Sequence, residues 1–167
     1  MLTGIGTARE DNPRLDVRDV ETARTGIQAS LTGHLVLATL HTNDAPSAIP
    51  RLVDIGIEPY LVTSSLLAVL AQRLLRRTCQ TCKGTSMGAD GVGVCETCFG
   101  TGYKGRLAAY EIMTMDDELR VLTAERADAV TLYEKAREKG FRPMRDDALE
   151  KVAKGLTDEA EVYRVLH

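Results

Sequence analysis

All four cysteines of the chain stand in two C-x-x-C pairs, "CQTC" and "CETC", which place Cys79, Cys82, Cys95 and Cys98 on either side of the stretch Lys83 to Val94. A C-x-x-C pair turns tightly enough for both thiolates to reach one ion. A connection of this length lets a second pair complete the tetrahedron, so the pattern predicts a structural zinc site with these four ligands. Incidental core cysteines would have no reason to cluster among glycine-rich turns. Two disulfides are another use of four cysteines. They require an oxidising compartment, and the first residues do not form the charged, apolar, small-residue pattern of a secretion signal.

His41 is the second chemical candidate. "HLVLATLH" is a near-continuous apolar run of strand length behind Gly33, the pattern of a strand buried on both faces of an α/β sheet. It ends in His-Thr-Asn and passes into a capped helix, which brings polar side chains to the carboxyl edge of the sheet, where ligands bind in such folds. A neutral imidazole there donates to a phosphate oxygen, and a protonated one does so with charge assistance. The alternative use is a backbone hydrogen bond that closes the strand. His34, at the start of the run, reads as a turn partner.

The elements that must hold these residues follow from periodicity. Asp19 is a suitable N-cap, and Val20, Ala23, Ile27 and Leu31 recur at steps of three and four on one helical face that ends at Thr32 and Gly33. Gly26 weakens that helix by about 1 kcal/mol relative to alanine. Asn43 or Asp44 is expected to cap the next helix, which ends at Gly56 and tolerates Pro50 only in its first turn. A further helix is expected from about Leu61 to Leu70. "QRLLRR" and "GRLAAYEIM" bracket the cysteines and read as neighbouring strands. From Asp116 onward the apolar steps are helical, with Gly140 and Gly155 as stops and Thr157 or Asp158 as the last cap. No element is assigned before Leu15.

Composition narrows the function classes. The 167 residues are 44% hydrophobic, enough for an ordinary core that buries roughly 70% of the unfolded surface. Lys and Arg number 21 against 24 Asp and Glu, a net charge of −3, so no basic excess points to nucleic acid. The most apolar run, from Tyr60, is broken by Thr63, Ser64, Ser65 and Gln72 and falls short of the ~20 residues needed to span a bilayer. Aromatic residues are 4% of the chain and Trp is absent, which offers no base-stacking platform.

From Arg18 to the end the sequence resembles the secretion ATPases that drive type II secretion and type IV pilus assembly. The resemblance runs through "VRDVETARTGIQASLTGHLVLATLHTNDAPSA", "RLVDIGIEPYLVTSSLLAVLAQRLLRRTC", the cysteine pairs, "GTGYKGRLAAYEIM" and "GFRPMRDDALEKVAKGLTDEAEVYRVL". "TGHLVLATLHTN" is similar to the family's histidine box, which implies that His41 approaches the terminal phosphate of the nucleotide and that His34 is the box's first histidine. "VRDVETA" is similar to the segment after the Walker B strand, so Arg18 and Glu21 carry over as nucleotide-side residues and Asp16 as the Walker B acid, one methylene shorter than the family's glutamate. Three features depart from the pattern. There is no Gly-Lys-Ser or Gly-Lys-Thr, hence no Walker A loop to wrap phosphates. Leu15 stands where the family has glycine. "EDNPR" replaces a buried parallel strand, although Pro13 cannot donate to a ladder.

The resemblance therefore implies an α/β chain with a partial RecA-like P-loop core over residues 1–72, a strand-flanked four-cysteine zinc segment over 73–113 and a helical region over 114–167. It implies the carboxyl-terminal part of a hexameric ATPase, expected to be inactive by itself, which uses ATP and Mg2+ only when complete. Partners would be the other subunits of a homo-hexamer and inner-membrane secretion or pilus platform proteins, and the location would be cytoplasmic, peripheral to the bacterial inner membrane. Two other readings rest on the cysteines. "CETCFGTG" is the C-x-x-C-x-G-x-G unit of the cysteine-rich chaperone domain of J-proteins, but that domain uses four units, and here there is one full unit and one partial, "CQTCKG". A zinc-ribbon interaction or nucleic-acid module is the other, suggested by Arg73, Arg76, Arg77, Lys83, Lys104 and Arg106 around the site and opposed by the acidic total.

Overall fold

A computed structural model describes residues 2–3, 15–88 and 91–167. In chain order the elements are β1 (Leu2–Thr3), β2 (Leu15–Val17), α1 (Val20–Leu31), β3 (Val36–Leu40), α2 (Ala48–Asp54), α3 (Pro59–Ser65), β4 (Ala68–Thr78), β5 (Tyr103–Thr114), α4 (Asp117–Ala124), α5 (Ala129–Glu138), α6 (Met144–Ala153) and α7 (Glu159–Leu166). They make an α/β fold with a three-stranded sheet ordered β1-β3-β2 and a separate pair β4-β5. The chain divides into two compact units, residues 1–71 with 111–141 and residues 72–110 with 142–167. The helices after residue 114 are thus shared out, α4 and α5 to the first unit, α6 and α7 to the second.

In the first unit β2 runs parallel to β3, with Leu15, Asp16 and Val17 opposite Ala38, Thr39 and Leu40, while β1 pairs antiparallel on β3's other edge. Asp19 caps α1 by accepting the Thr22 N–H at 2.8 Å. The helix buries Ala23, Gly26 and Ile27. A Cβ on Gly26 would stand 2.7 Å from Leu15 Cδ2, so the glycine that weakens α1 also lets it close on β2. β3 alternates half-buried and exposed positions rather than burying both faces, and Leu35 and Leu37 are 41% and 37% exposed. Val36, Ala38 and Leu40 turn toward α1; Leu37 and Thr39 point the other way. Ile49, Leu52, Ile57, Val62, Met113, Leu119 and Leu132 are fully buried in one core with Val17 and Ile27.

Two further expectations change. The helix predicted over Leu61 to Leu70 is α3, which ends at Ser65; Leu67 O already accepts the Met115 N–H at 2.9 Å and the apolar run continues as β4. Leu66 to Ala71 are apolar throughout, and such a stretch does not reveal where a helix yields to a strand; pairing with β5 makes that choice. The cap of α2 is Ser47, with Asp44 Oδ1 accepting the Ser47 N–H at 2.8 Å, and Pro50 lies in the first turn, where no ladder bond is lost. In the second unit Leu75 and Ala109 are fully buried, and Thr78 N donates to Leu156 O at 2.9 Å. Asp116, Asp128 and Asp158 cap α4, α5 and α7.

Candidate functional site

The cysteine pairs fold as one turn made twice. Cys79–Thr85 and Cys95–Thr101 both read C-x-T-C-x-G-T. In each, the residue after the second cysteine and the following glycine take positive φ: 50° and 88° at Lys83 and Gly84, 52° and 77° at Phe99 and Gly100. Each final threonine hydroxyl donates to the second cysteine's carbonyl, Thr85 to Cys82 at 2.8 Å and Thr101 to Cys98 at 2.7 Å. The inner threonines join the two turns, with Thr81 Oγ1 donating to Thr97 Oγ1 at 3.0 Å. Gly102 packs against one of them: a Cβ there would lie 3.0 Å from Gly84 O.

This geometry buries all four cysteines as free thiols and brings their Sγ atoms within 4.8 Å of one another. Cys82 and Cys98 Sγ are 3.7 Å apart. A tetrahedral zinc with bonds of about 2.3 Å requires sulfurs about 3.8 Å apart, so donor type and spacing fit the metal. Backbone N–H groups aim at the sulfurs. The Cys82 amide, followed by that of Thr81, holds the Cys79 thiol down at about 6, with burial opposing them. Burial pushes Cys82 up. It acts upward on Cys98 too, but the Gly102 and Gly100 amides and the neighbouring thiols outweigh it and the net direction is down. Low-lying thiols supply the thiolate form that a metal binds.

The second group lies where β2 and β3 end side by side. Their parallel register puts Asp16 beside Thr39, and Thr39 Oγ1 donates to Asp16 Oδ1 at 3.1 Å. Arg18 Nε donates to Asp16 Oδ2 at 2.6 Å, and His41 Nε2 stands 3.8 Å from Asp16 Oδ1. Burial tends to raise the Asp16 carboxyl, but Arg18, Thr39 and His41 together hold it below the ordinary range. The His41 side chain is 78% exposed, free to meet a ligand above this edge. Glu21 is exposed in the first turn of α1. His34 lies at the opposite end of β3, its Nδ1 within 3.1 Å of Thr32 Oγ1 and 3.2 Å of Ala29 O, at the carboxyl end of α1.

Residues 16–164 match the family model described as type II/IV secretion system protein. The chain belongs to that family. Among its relatives is the type II secretion system protein HxcR of Pseudomonas aeruginosa, 50% identical over 150 residues that cover 90% of this chain and 32% of HxcR. Another is the type IV pilus assembly ATPase PilB of Thermus thermophilus, 44% identical over 88% of this chain and 19% of PilB. The crystal structure of the pilus retraction motor PilT with bound ADP superposes with a TM-score of 0.65 at 26% identity, covering 95% of this chain and 40% of PilT. This type II/IV secretion family chain thus spans about a fifth to a third of the curated relatives named here.

Two features of this secretion family chain escape the sequence reading. Thr39 is an unremarkable polar residue in an apolar strand, and only the register with β2 turns its hydroxyl onto Asp16. The inner threonines of the two turns are the other, although a seven-residue repeat at a spacing of sixteen, beyond the bare C-x-x-C pattern, is the signal that marks them.

Proposed function

We propose that this chain is the carboxyl-terminal part of a hexameric ATPase that powers type II secretion or type IV pilus assembly. Its functional parts are a partial RecA-like P-loop core, a zinc-bound four-cysteine segment over residues 73–113 and the helical region over 114–167. The observation that carries the reading is the convergence of Asp16, Arg18, Thr39 and His41 at the carboxyl ends of a parallel strand pair, in a chain whose relatives include a type II secretion protein and a pilus assembly ATPase. That is where ligands sit in open α/β sheets.

ATP with Mg2+ supplies the phosphoryl group in the complete protein, and zinc in the cysteine cage supplies a structural cross-link. His41 Nε2 donates to an oxygen of the terminal phosphate. Arg18 neutralises Asp16 and keeps it deprotonated, and Thr39 orients it. Asp16 Oδ1 faces the same edge as His41, where it would accept a hydrogen bond from an attacking water and orient it. Glu21 borders this edge from α1. His34, bonded to the end of α1, supports the strand from its far end. Six subunits in a ring and an inner-membrane platform complete the machine, which operates on the cytoplasmic side. No helix among the described residues is long and apolar enough to cross a membrane.

The test restores a Walker A and B segment ahead of Asp19. His41→Ala is then expected to leave ADP affinity unchanged, because ADP lacks the group His41 touches, and to lower turnover about tenfold or more. Full turnover in a correctly folded His41→Ala form refutes the reading.

A further inference from the structure

Glu111 is a carboxylate that the chemistry above leaves unused. It lies on β5 and is 4% exposed, in the unit whose core is built of hydrophobic side chains. Its Oε1 accepts the backbone N–H of Ala45 at 2.6 Å, and Ala45 is itself fully buried. Ala45 belongs to the connection between β3 and α2, the segment that starts at His41. Nearer contacts hold it too: Asp44 Oδ1 accepts the Ser47 N–H, and Ala45 O, Pro46 O and Ser47 O accept the Ala48, Ile49 and Arg51 N–H groups at 3.2, 3.4 and 3.2 Å. These contacts reach the helix that directly follows. Glu111, 66 residues away on β5, ties the connection to a strand distant in sequence.

A buried charge is expensive, and it persists where it satisfies a donor that would otherwise be orphaned. The Ala45 N–H is such a donor, because a loop amide buried against the core finds no water. The short distance is that of a charge-assisted bond. A tie at Ala45 restricts the four residues before it, His41 among them, and the His41 ring itself stands 3.8 Å from Asp16. From these contacts we infer that Glu111 is a positioning residue: its carboxylate fixes the His41–Ser47 connection and thereby sets the His41 ring over Asp16. This deepens the reading of His41 as the phosphate-facing residue and rests on it for its functional meaning, while the positional effect itself needs no nucleotide.

The experiment uses the whole zinc-loaded chain, isotopically labelled. First, amide exchange at Ala45 in the unaltered chain is expected to be at least tenfold slower than in an unstructured peptide of the same sequence. Exchange at the unprotected rate overturns the proposal whatever the variants do. Second, the shift of the His41 ring signals on Asp16→Asn measures how firmly the ring is held over that carboxylate. In Glu111→Met, which keeps the volume and removes the acceptor, that shift is expected to fall by at least half; in Glu111→Gln, which keeps an acceptor oxygen, it is expected to persist. An undiminished shift in a folded Glu111→Met form overturns the proposal, and so does loss of the shift in a folded Glu111→Gln form. Should Glu111→Met fail to fold, the Ala45 exchange rate and the Glu111→Gln form still decide. Failure here leaves the turnover test of His41 standing, and failure of that test leaves these signals unchanged.

Discussion

Glu161 is the most enclosed charged side chain of the second unit, with no exposed surface. Its two oxygens accept from Arg76 N and Nε, each at 2.8 Å, and from Arg164 Nε and Nη2 at 2.7 and 2.6 Å. The Arg164 hydrogen bonds come first in lowering its carboxyl to about 2; burial opposes them and Arg76 adds to them. A folded value below the unfolded one of about 4.3 means that the stabilisation is full above that pH and is lost as pH falls toward 2. Denaturant melts are therefore expected to show stability declining between about pH 4.5 and 2, with the decline reduced in Glu161→Gln. At pH 7 the same substitution is expected to cost about 2–3 kcal/mol, at the lower end for a broken buried pair because both arginines remain about half exposed and hydrated. An unchanged midpoint at pH 7 would show that the two guanidinium groups need no buried partner.

The paired cysteine turns are short and carry no aliphatic core of their own; the buried groups at their centre are the four thiols. With zinc in the cage, as proposed, such an element would draw its cohesion from the metal, since metal affinity is folding free energy for the segment that binds it. One zinc per chain is expected in reduced protein, and a strong chelator is expected to release the turns while most of the helical circular dichroism persists, since α1 to α5 pack through the aliphatic core of the first unit. Elemental analysis well below one zinc, or an unchanged metal content in Cys95→Ser, contradicts the cage. Several helix ends were legible in the sequence: Asp19 before α1, and Gly140 and Gly155 behind α5 and α6, while the cap of α7 was narrowed to Thr157 or Asp158 and is Asp158. These signals are local, and the partners lie within one turn. The end of α3 was not legible, because Ser65 and Leu66 stop the helix only when β5 pairs with the residues that follow.

At the scale of the whole molecule the proposed function gives the chain one edge of a nucleotide site, and its sequence has no phosphate-wrapping Gly-Lys-Ser/Thr loop. A single charged hydrogen bond from His41 contributes about 1.5–3 kcal/mol, whereas micromolar affinity requires about 8 kcal/mol. Calorimetry on the chain alone is expected to detect no Mg-ATP binding tighter than about 0.1 mM, and no hydrolysis above background. Micromolar binding would mean that Arg18, Asp16 and His41 do far more than edge contacts can.

What the sequence by itself determined was the chemistry and most of the local structure. C-x-x-C spacing marked the four cysteines that cluster, capping aspartates and glycines set most of the helix ends, and the histidine box pointed to the family, because each of these signals is complete within a few residues or a short motif. Tertiary structure decided which distant groups meet. Thr39 reaches Asp16 only through the parallel register of β2 on β3. Ala45 meets Glu111 only because β5 enters the first unit's core. Leu37 is left exposed although its run reads as buried. These outcomes depend on pairing and packing between segments tens of residues apart, and a residue's own type and neighbours carry no record of which segment will lie across from it.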